Sequence, residues 1–186
     1  MCPESLACNE DGTPNTEFRA RAKRLWNQIQ NNFDSRGLPG KGGQTLTGLQ
    51  KLALRAVILS GDTLIRLSPV SYGEQIKREL PIPLTLSLID SGRLADSHHP
   101  TVGTIPDGNI LYRGVEINKS TGQRVAYWVS NIAIGNQGGS YLAAERMSAE
   151  QIQHLFIEDD IDQIRGVPWF ASALLQMRDT GDYQYN

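Results

Sequence analysis

The order of hydrophobic periodicities along the chain is the feature that most constrains its fold. Apolar residues recur at helical spacing in a stretch that begins at Glu17, which Asn15 or Thr16 can cap, and again in one that Thr45 caps. After Gly61 and Asp62 the period changes, and short segments typical of strands follow as far as Phe156. Because helices come first and strands then follow without regular βαβ alternation, this order predicts an α+β fold with a mostly antiparallel sheet.

The individual elements follow from the same periodicities. The first helix has one apolar stripe that includes Trp26 and Phe33, and Trp26 is expected in the core. The second helix is more heavily apolar and is expected to be the central, buried helix. A final helix is predicted over 169–185 because Pro168 suits a first helical turn. The predicted strands are 63–67, 84–89, 110–117, 124–130 and 152–156, with a hairpin turn at 118–123 and a tight turn at 148–150.

Composition limits the class of protein. The chain has 186 residues, 39% of them hydrophobic and 20% charged, which is typical of one soluble domain. We expect residues 1–14 to be a flexible segment and residues 15–186 to form a single α+β domain. A net charge of −2 argues against a domain whose main task is to bind phosphates.

The N-terminal sequence and the cysteines indicate where the protein is made. No stretch approaches the roughly 20 apolar residues of a membrane span, and the N-terminus lacks the pattern of a signal peptide. Cys2 and Cys8 lie close together near the N-terminus and are expected to be free thiols. We therefore expect synthesis in the cytoplasm and no membrane partner.

An acidic run is the best candidate for a catalytic metal site. Glu158, Asp159, Asp160 and Asp162, with His154, would suit a metal-dependent hydrolase or nuclease if the carboxylates converged on an ion. A two-metal site needs carboxylates from separate elements, whereas a consecutive run in one loop is usually a solvated surface. We therefore keep the hydrolase as an alternative and predict no metal.

Other motifs give weaker signals. Residues 37–45 have the wrong spacing for a phosphate-binding loop and are predicted to link two helices, and no cofactor is expected. The pair His98 and His99 is predicted to lie in a solvated loop, and His154 to be a packed, structural histidine. Tyr127 and Trp128 alternate on one strand, which predicts that one of the two is exposed or in an interface.

Four segments in the C-terminal half resemble one known family. They are the hairpin formed by 113–118 and 122–129, the segment 147–156, the Gln-Ile-Arg-Gly-Val-Pro-Trp run at 163–169, and the Arg-Asp and Asp-Tyr pairs at 178–179 and 182–183. In this order they resemble the portal proteins of lambda-type tailed bacteriophages. Upstream, Trp26, Phe33 and the segment 86–94 agree more weakly, while Ser148, Thr180 and Gly181 depart from the family pattern.

One of these segments contains a structural motif made of Arg165, Gly166, Val167, Pro168 and Trp169. Gly166 lets the backbone bend where a side chain would clash, and Pro168 opens the last helix. Trp169 is predicted to bury roughly 150–250 Å² and to pin that helix against the sheet. The motif contains no nucleophile, base or metal ligand, so we predict no catalytic residue in it.

The resemblance implies a function and a set of partners. Family portals are structural, not enzymatic; they form dodecameric rings at one capsid vertex and receive the terminase, head–tail connector proteins and double-stranded DNA, which passes without sequence-specific binding. By this resemblance, the chain would be the outer, wing-like body of such a subunit in the virion, ending before the stem and clip. We expect it to be a fragment or prophage copy that is monomeric by itself. Another phage head or adaptor protein is a further alternative.

Overall fold

The computed structural model describes residues 6–95, 102–132 and 141–171. The predicted loop with His98 and His99, and the predicted final helix from residue 172 onward, lie outside these residues. By the distribution of internal contacts the chain divides into two compact units, one made of 1–51 and 67–87 and the other of 52–66 and 88–186. The elements are α1 (Thr16–Asn31), α2 (Leu46–Ser60), β1 (Asp62–Pro69), α3 (Tyr72–Lys77), β2 (Leu84–Asp90), β3 (Asn109–Tyr112), β4 (Val115–Asn118), β5 (Arg124–Ile132), β6 (Tyr141–Ser148) and β7 (Ile152–Phe156).

The predicted α+β class is confirmed. The strands form two antiparallel sheets, one in the order β2-β1-β7 and one in the order β3-β4-β5-β6. In the first sheet β1 pairs with β7 so that Leu64 faces His154 in register. Short 3₁₀ turns follow β2 and precede β7, and the second of these matches the turn predicted at 148–150. Within the described residues no helix has the length and apolarity that a membrane crossing requires.

The first unit is organised by polar caps. Asn15 accepts a hydrogen bond from the Phe18 amide at 2.8 Å and caps α1, as one of the two predicted candidates. In the linker from α1 to α2, buried Asp34 accepts from the side chain of Arg36 and from the Gln44 amide. Residues 6–14 form a turn with a bridge between Cys8, a free thiol, and Pro14, and their flexibility stays a prediction.

Two predictions about the helices need correction. The second helix is not buried around its circumference, since Leu54 and Leu59 are exposed while one stripe with Leu49 and Val57 is buried. Trp26 on α1 is only half-buried. The short helix α3 was not predicted, because six residues with two apolar side chains carry little periodicity.

The sheet of the second unit also differs from the prediction in two places. The stretch 110–117, predicted as one strand, is the hairpin β3–β4, since Arg113 and Gly114 both have positive φ (48° and 84°) and turn the chain as in a two-residue hairpin. Strand β6 was not predicted, although it contributes a buried side chain to the core of this unit. That core is one apolar cluster formed by Leu64, Ile89, Val115, Ile117, Tyr127, Val129, Met147 and Ile152.

Candidate functional site

The residues of the C-terminal motif meet a buried carboxylate. Asp62 begins β1, separated from the end of α2 only by Gly61, and its side chain is fully buried. Arg165 grips both of its oxygens, with Nε donating to Oδ2 and Nη2 donating to Oδ1 at 3.2 Å. His154 Nε2 lies 3.0 Å from Oδ2, and the Gly166 amide donates to Oδ2 at 3.3 Å. The Ser91 side chain also hydrogen-bonds to this carboxylate, and we call Asp62, Ser91, His154, Arg165 and Gly166 the Asp62 network.

The protonation of Asp62 follows from these contacts. Burial by itself would raise the pKa of Asp62, but hydrogen bonds from His154, Arg165 and Ser91 and the charge of Arg165 outweigh it and hold the pKa well below its usual range. The carboxylate is therefore ionised and its oxygens are occupied by donors. A carboxylate in this state fastens chain segments together and is not free to act as a general base.

Arg165 also reaches two backbone carbonyls. Its Nη1 donates to the Arg113 carbonyl at 2.9 Å, in the turn between β3 and β4, and its Nη2 donates to the Ser91 carbonyl at 3.3 Å. One guanidinium thus ties together the start of β1, the end of β2 and the β3–β4 turn. Arginine suits this task because its planar group offers five donors in a fixed geometry.

Gly166 lies where two backbone segments come into contact. A Cβ on Gly166 would sit 2.0 Å from the Gly61 carbonyl oxygen, and one on Gly61 would sit 2.7 Å from the Gly166 carbonyl group. Gly61 also has a φ of 92°, which favours glycine. The predicted reason for Gly166, a place where a side chain would clash, agrees with this geometry.

Trp169 does not have the burial that the sequence predicted. Its side chain is 52% exposed, although its amide donates to the Ile58 carbonyl at 3.2 Å. Val167 is 54% exposed. Within the motif, Arg165 and Gly166 make the buried contacts, and Trp169 does not bury its side chain against the sheet as expected.

A second buried carboxylate lies inside the four-stranded sheet. Glu116 on β4 is fully buried and accepts a bidentate pair from Arg146 on β6, at 2.7 and 2.8 Å. Trp128 Nε1 donates to it at 2.9 Å and Asn109 Nδ2 at 2.7 Å. The hydrogen bonds from Arg146 are the main reason that the pKa of Glu116 is lowered, against the opposing effect of burial. These four residues are the Glu116 network.

Several candidate residues now have known positions. Both Tyr127 and Trp128 are buried, so the prediction that one of them is exposed was wrong: β5 is covered on both faces. His154 is a buried, hydrogen-bonded histidine, as predicted, and lies edge-on to the Tyr127 ring. Asp62 and Glu116 were not singled out from the sequence, because a lone acidic residue at a strand end or between two apolar neighbours ordinarily faces solvent.

The acidic run at 158–162 stays on the surface. All four of its carboxylate residues are exposed, and part of the run lines a surface cleft of about 420 Å³ together with the guanidinium residues Arg113 and Arg165. Across the described residues, no group of three or more His, Cys, Asp or Glu side chains is placed to hold a metal ion. The geometry gives no support to the hydrolase alternative.

In the Asp62 and Glu116 networks, buried charges join strands and turns of the second unit. The model of the family described as "Phage portal protein, lambda family" matches residues 2–186. The chain belongs to the lambda family of phage portal proteins, a structural family, as the sequence resemblance indicated. A search of the curated proteins found none that matches this chain.

Proposed function

We propose that this protein is a subunit of the portal ring and forms part of the vertex through which DNA is packaged into the capsid and ejected from it. The family match over residues 2–186 carries this proposal. The buried networks support it, because a subunit that bears load between neighbours needs its segments fastened internally. Residues 15–186 would be the wing-like body, with residues 1–14 as a flexible extension.

Within this body we propose that residues 165–169 act as a mechanical joint. Arg165 fixes the segment to Asp62 and to the turn at Arg113, and Gly166 allows it to lie directly on Gly61. The joint would set the direction in which the chain continues past Pro168. Such a role explains why the motif combines an arginine, whose planar guanidinium can bind two oxygens at once, with a glycine and a proline.

The proposed partners follow from the family. As in the full-length family, copies of the full product of the gene would assemble as a dodecameric ring in the virion after synthesis in the host cytoplasm. The terminase would dock on the ring during packaging and head–tail connector proteins afterwards, with the capsid around it. Double-stranded DNA would pass through without specific contacts, in keeping with a net charge of −2.

Electron microscopy of the full product of the gene, purified under native conditions, tests the proposal. Closed rings are the expected result. A protein that stays monomeric throughout, or one whose thermal unfolding shifts strongly upward with Mg²⁺ or Mn²⁺, would contradict it. A cation present at 100 times its Kd would add about 2.7 kcal/mol of stability, so the second outcome is easily detected.

A further inference from the structure

The first helix presents an exposed strip that has no described partner. We call Phe18, Arg21, Arg24 and Leu25 the α1 strip. Phe18, Arg21 and Leu25 are three, four and seven residues apart, and Arg24 lies three residues after Arg21, so the four share one side of the helix. All four are exposed, and no residue of α1 is buried. No carboxylate among the described residues lies within ion-pair distance of Arg21 or Arg24.

The strip combines positive charge with apolar surface. Phe18 is 55% exposed and Leu25 is 37% exposed. Helix α1 has four basic residues and one acidic residue, although the whole chain is slightly acidic. An exposed apolar pair set among cations is typical of a surface that binds a partner which is itself apolar and negatively charged.

A surface with these complementary properties exists on the same chain. The acidic loop, residues 157–162, has four carboxylates and two isoleucines in six positions. Ile161 is 88% exposed and Ile157 is 45% exposed. The loop contains no described ion pair, and the nearby Arg113 offsets only part of its charge.

The acidic loop is also held in shape. Gln163 Oε1 accepts hydrogen bonds from the amides of Asp159 and Asp160, at 2.7 and 3.1 Å, and Gln163 Nε2 donates to the Arg165 carbonyl. The loop is thereby fixed to the Asp62 network. A loop that is pre-organised loses less conformational entropy on binding, which favours its use as a docking surface.

We infer that the α1 strip of one subunit docks on the acidic loop of a second copy of this chain. The inference deepens the proposed function and rests on it, because a ring needs two different, mutually complementary surfaces on every subunit. Isoleucine side chains of the loop would meet Phe18 and Leu25, and the carboxylates would surround the arginines. This contact accounts both for the unpaired charges and for the exposed apolar residues on the two surfaces.

Charge reversal tests the contact in the full product of the gene. We expect Arg21→Glu with Arg24→Glu to weaken assembly by about 10- to 100-fold, and Glu158→Lys with Asp159→Lys to do the same. These two acidic residues are chosen because their side chains make no described hydrogen bond, whereas Asp160 accepts from the Ile161 amide. Combining all four changes in one chain restores the complementarity and the original net charge, so rings should reappear.

Mixing establishes that the contact joins two different subunits. When the two reversal variants are co-expressed with different affinity tags, each should capture the other in mixed rings. The matched control pairs the loop variant with Lys51→Glu and Lys119→Glu, which change net charge equally at exposed positions away from the strip. In this pairing the reversed loop still faces a basic α1 strip, so only one of the loop variant's two contacts is complementary. The loop variant should therefore enter mixed rings less often with this control than with the strip variant.

The outcomes separate this inference from the proposed function. If the wild-type protein forms rings and each reversal variant forms them equally well, the inference is overturned and the portal assignment stays intact. Reversal variants that fail to recover in the fourfold variant, while retaining wild-type circular dichroism and melting, would also overturn it. Absence of rings in the wild-type protein would instead contradict the proposed function itself.

Discussion

Replacing Arg165 with leucine isolates the energetic contribution of the Asp62 network. Arg165 donates four hydrogen bonds, two to Asp62 and two to backbone carbonyls, and its side chain is only 18% exposed. Removal of one partner from a buried ion pair costs about 3–5 kcal/mol, because the other charge stays buried. Since His154, Ser91 and Gly166 still donate to Asp62, we expect the lower end, about 3 kcal/mol, or roughly a 150-fold change in the folding equilibrium.

The assay is urea unfolding at pH 7, monitored by tryptophan fluorescence and by circular dichroism. Wild type and variant should show the same dependence of unfolding free energy on urea concentration, so that a change in midpoint reports a change in stability. Arg165→Lys is the informative second variant. Lysine keeps the charge but cannot bind both carboxylate oxygens and two carbonyls at once, so it should recover less than half of the loss.

A third variant tests whether the cost comes from the stranded charge. Adding Asp62→Asn to the Arg165→Leu variant removes that charge and should recover about 1–2 kcal/mol. A loss of unfolding free energy below about 1 kcal/mol for Arg165→Leu would refute the reasoning. So would a double variant whose loss equals the sum of the losses of the two single variants.

Three further predictions concern stability. Gly166→Ala should lower the free energy of unfolding in urea by at least about 2 kcal/mol, because the added methyl meets the Gly61 backbone. The control Gly73→Ala, on the exposed helix α3, should be neutral or stabilising, and equal effects of the two changes would contradict the close approach at Gly166. Glu116→Ala should lower the melting temperature and alter Trp128 fluorescence, since it leaves buried donors without an acceptor; unchanged emission would show that the indole does not depend on this bond. Because the pKa of Asp62 is depressed by folding, its contribution is complete above its unfolded pKa of about 4 and is lost as pH falls further, so acid melting should be less pH-dependent in Asp62→Asn.

The order of helices and strands was determined by the sequence itself. The capped helices α1 and α2, the strands near 63–67, 84–89, 124–130 and 152–156, and the turn at 148–150 were all expected from periodicity and caps. These features depend on residues close together in the chain, where propensity and periodicity act directly. The family could also be recognised, since its motifs are contiguous runs.

Only the tertiary structure decided which charges are buried. Asp62 meets Arg165 across 103 positions of sequence and Glu116 meets Arg146 across 30, and no local pattern indicates either pairing. The same holds for the split at Arg113, for strand β6 and for the exposure of Trp169. Whether a side chain is buried depends on what a distant segment places over it, and burying a charge is favourable only once those distant donors are in place.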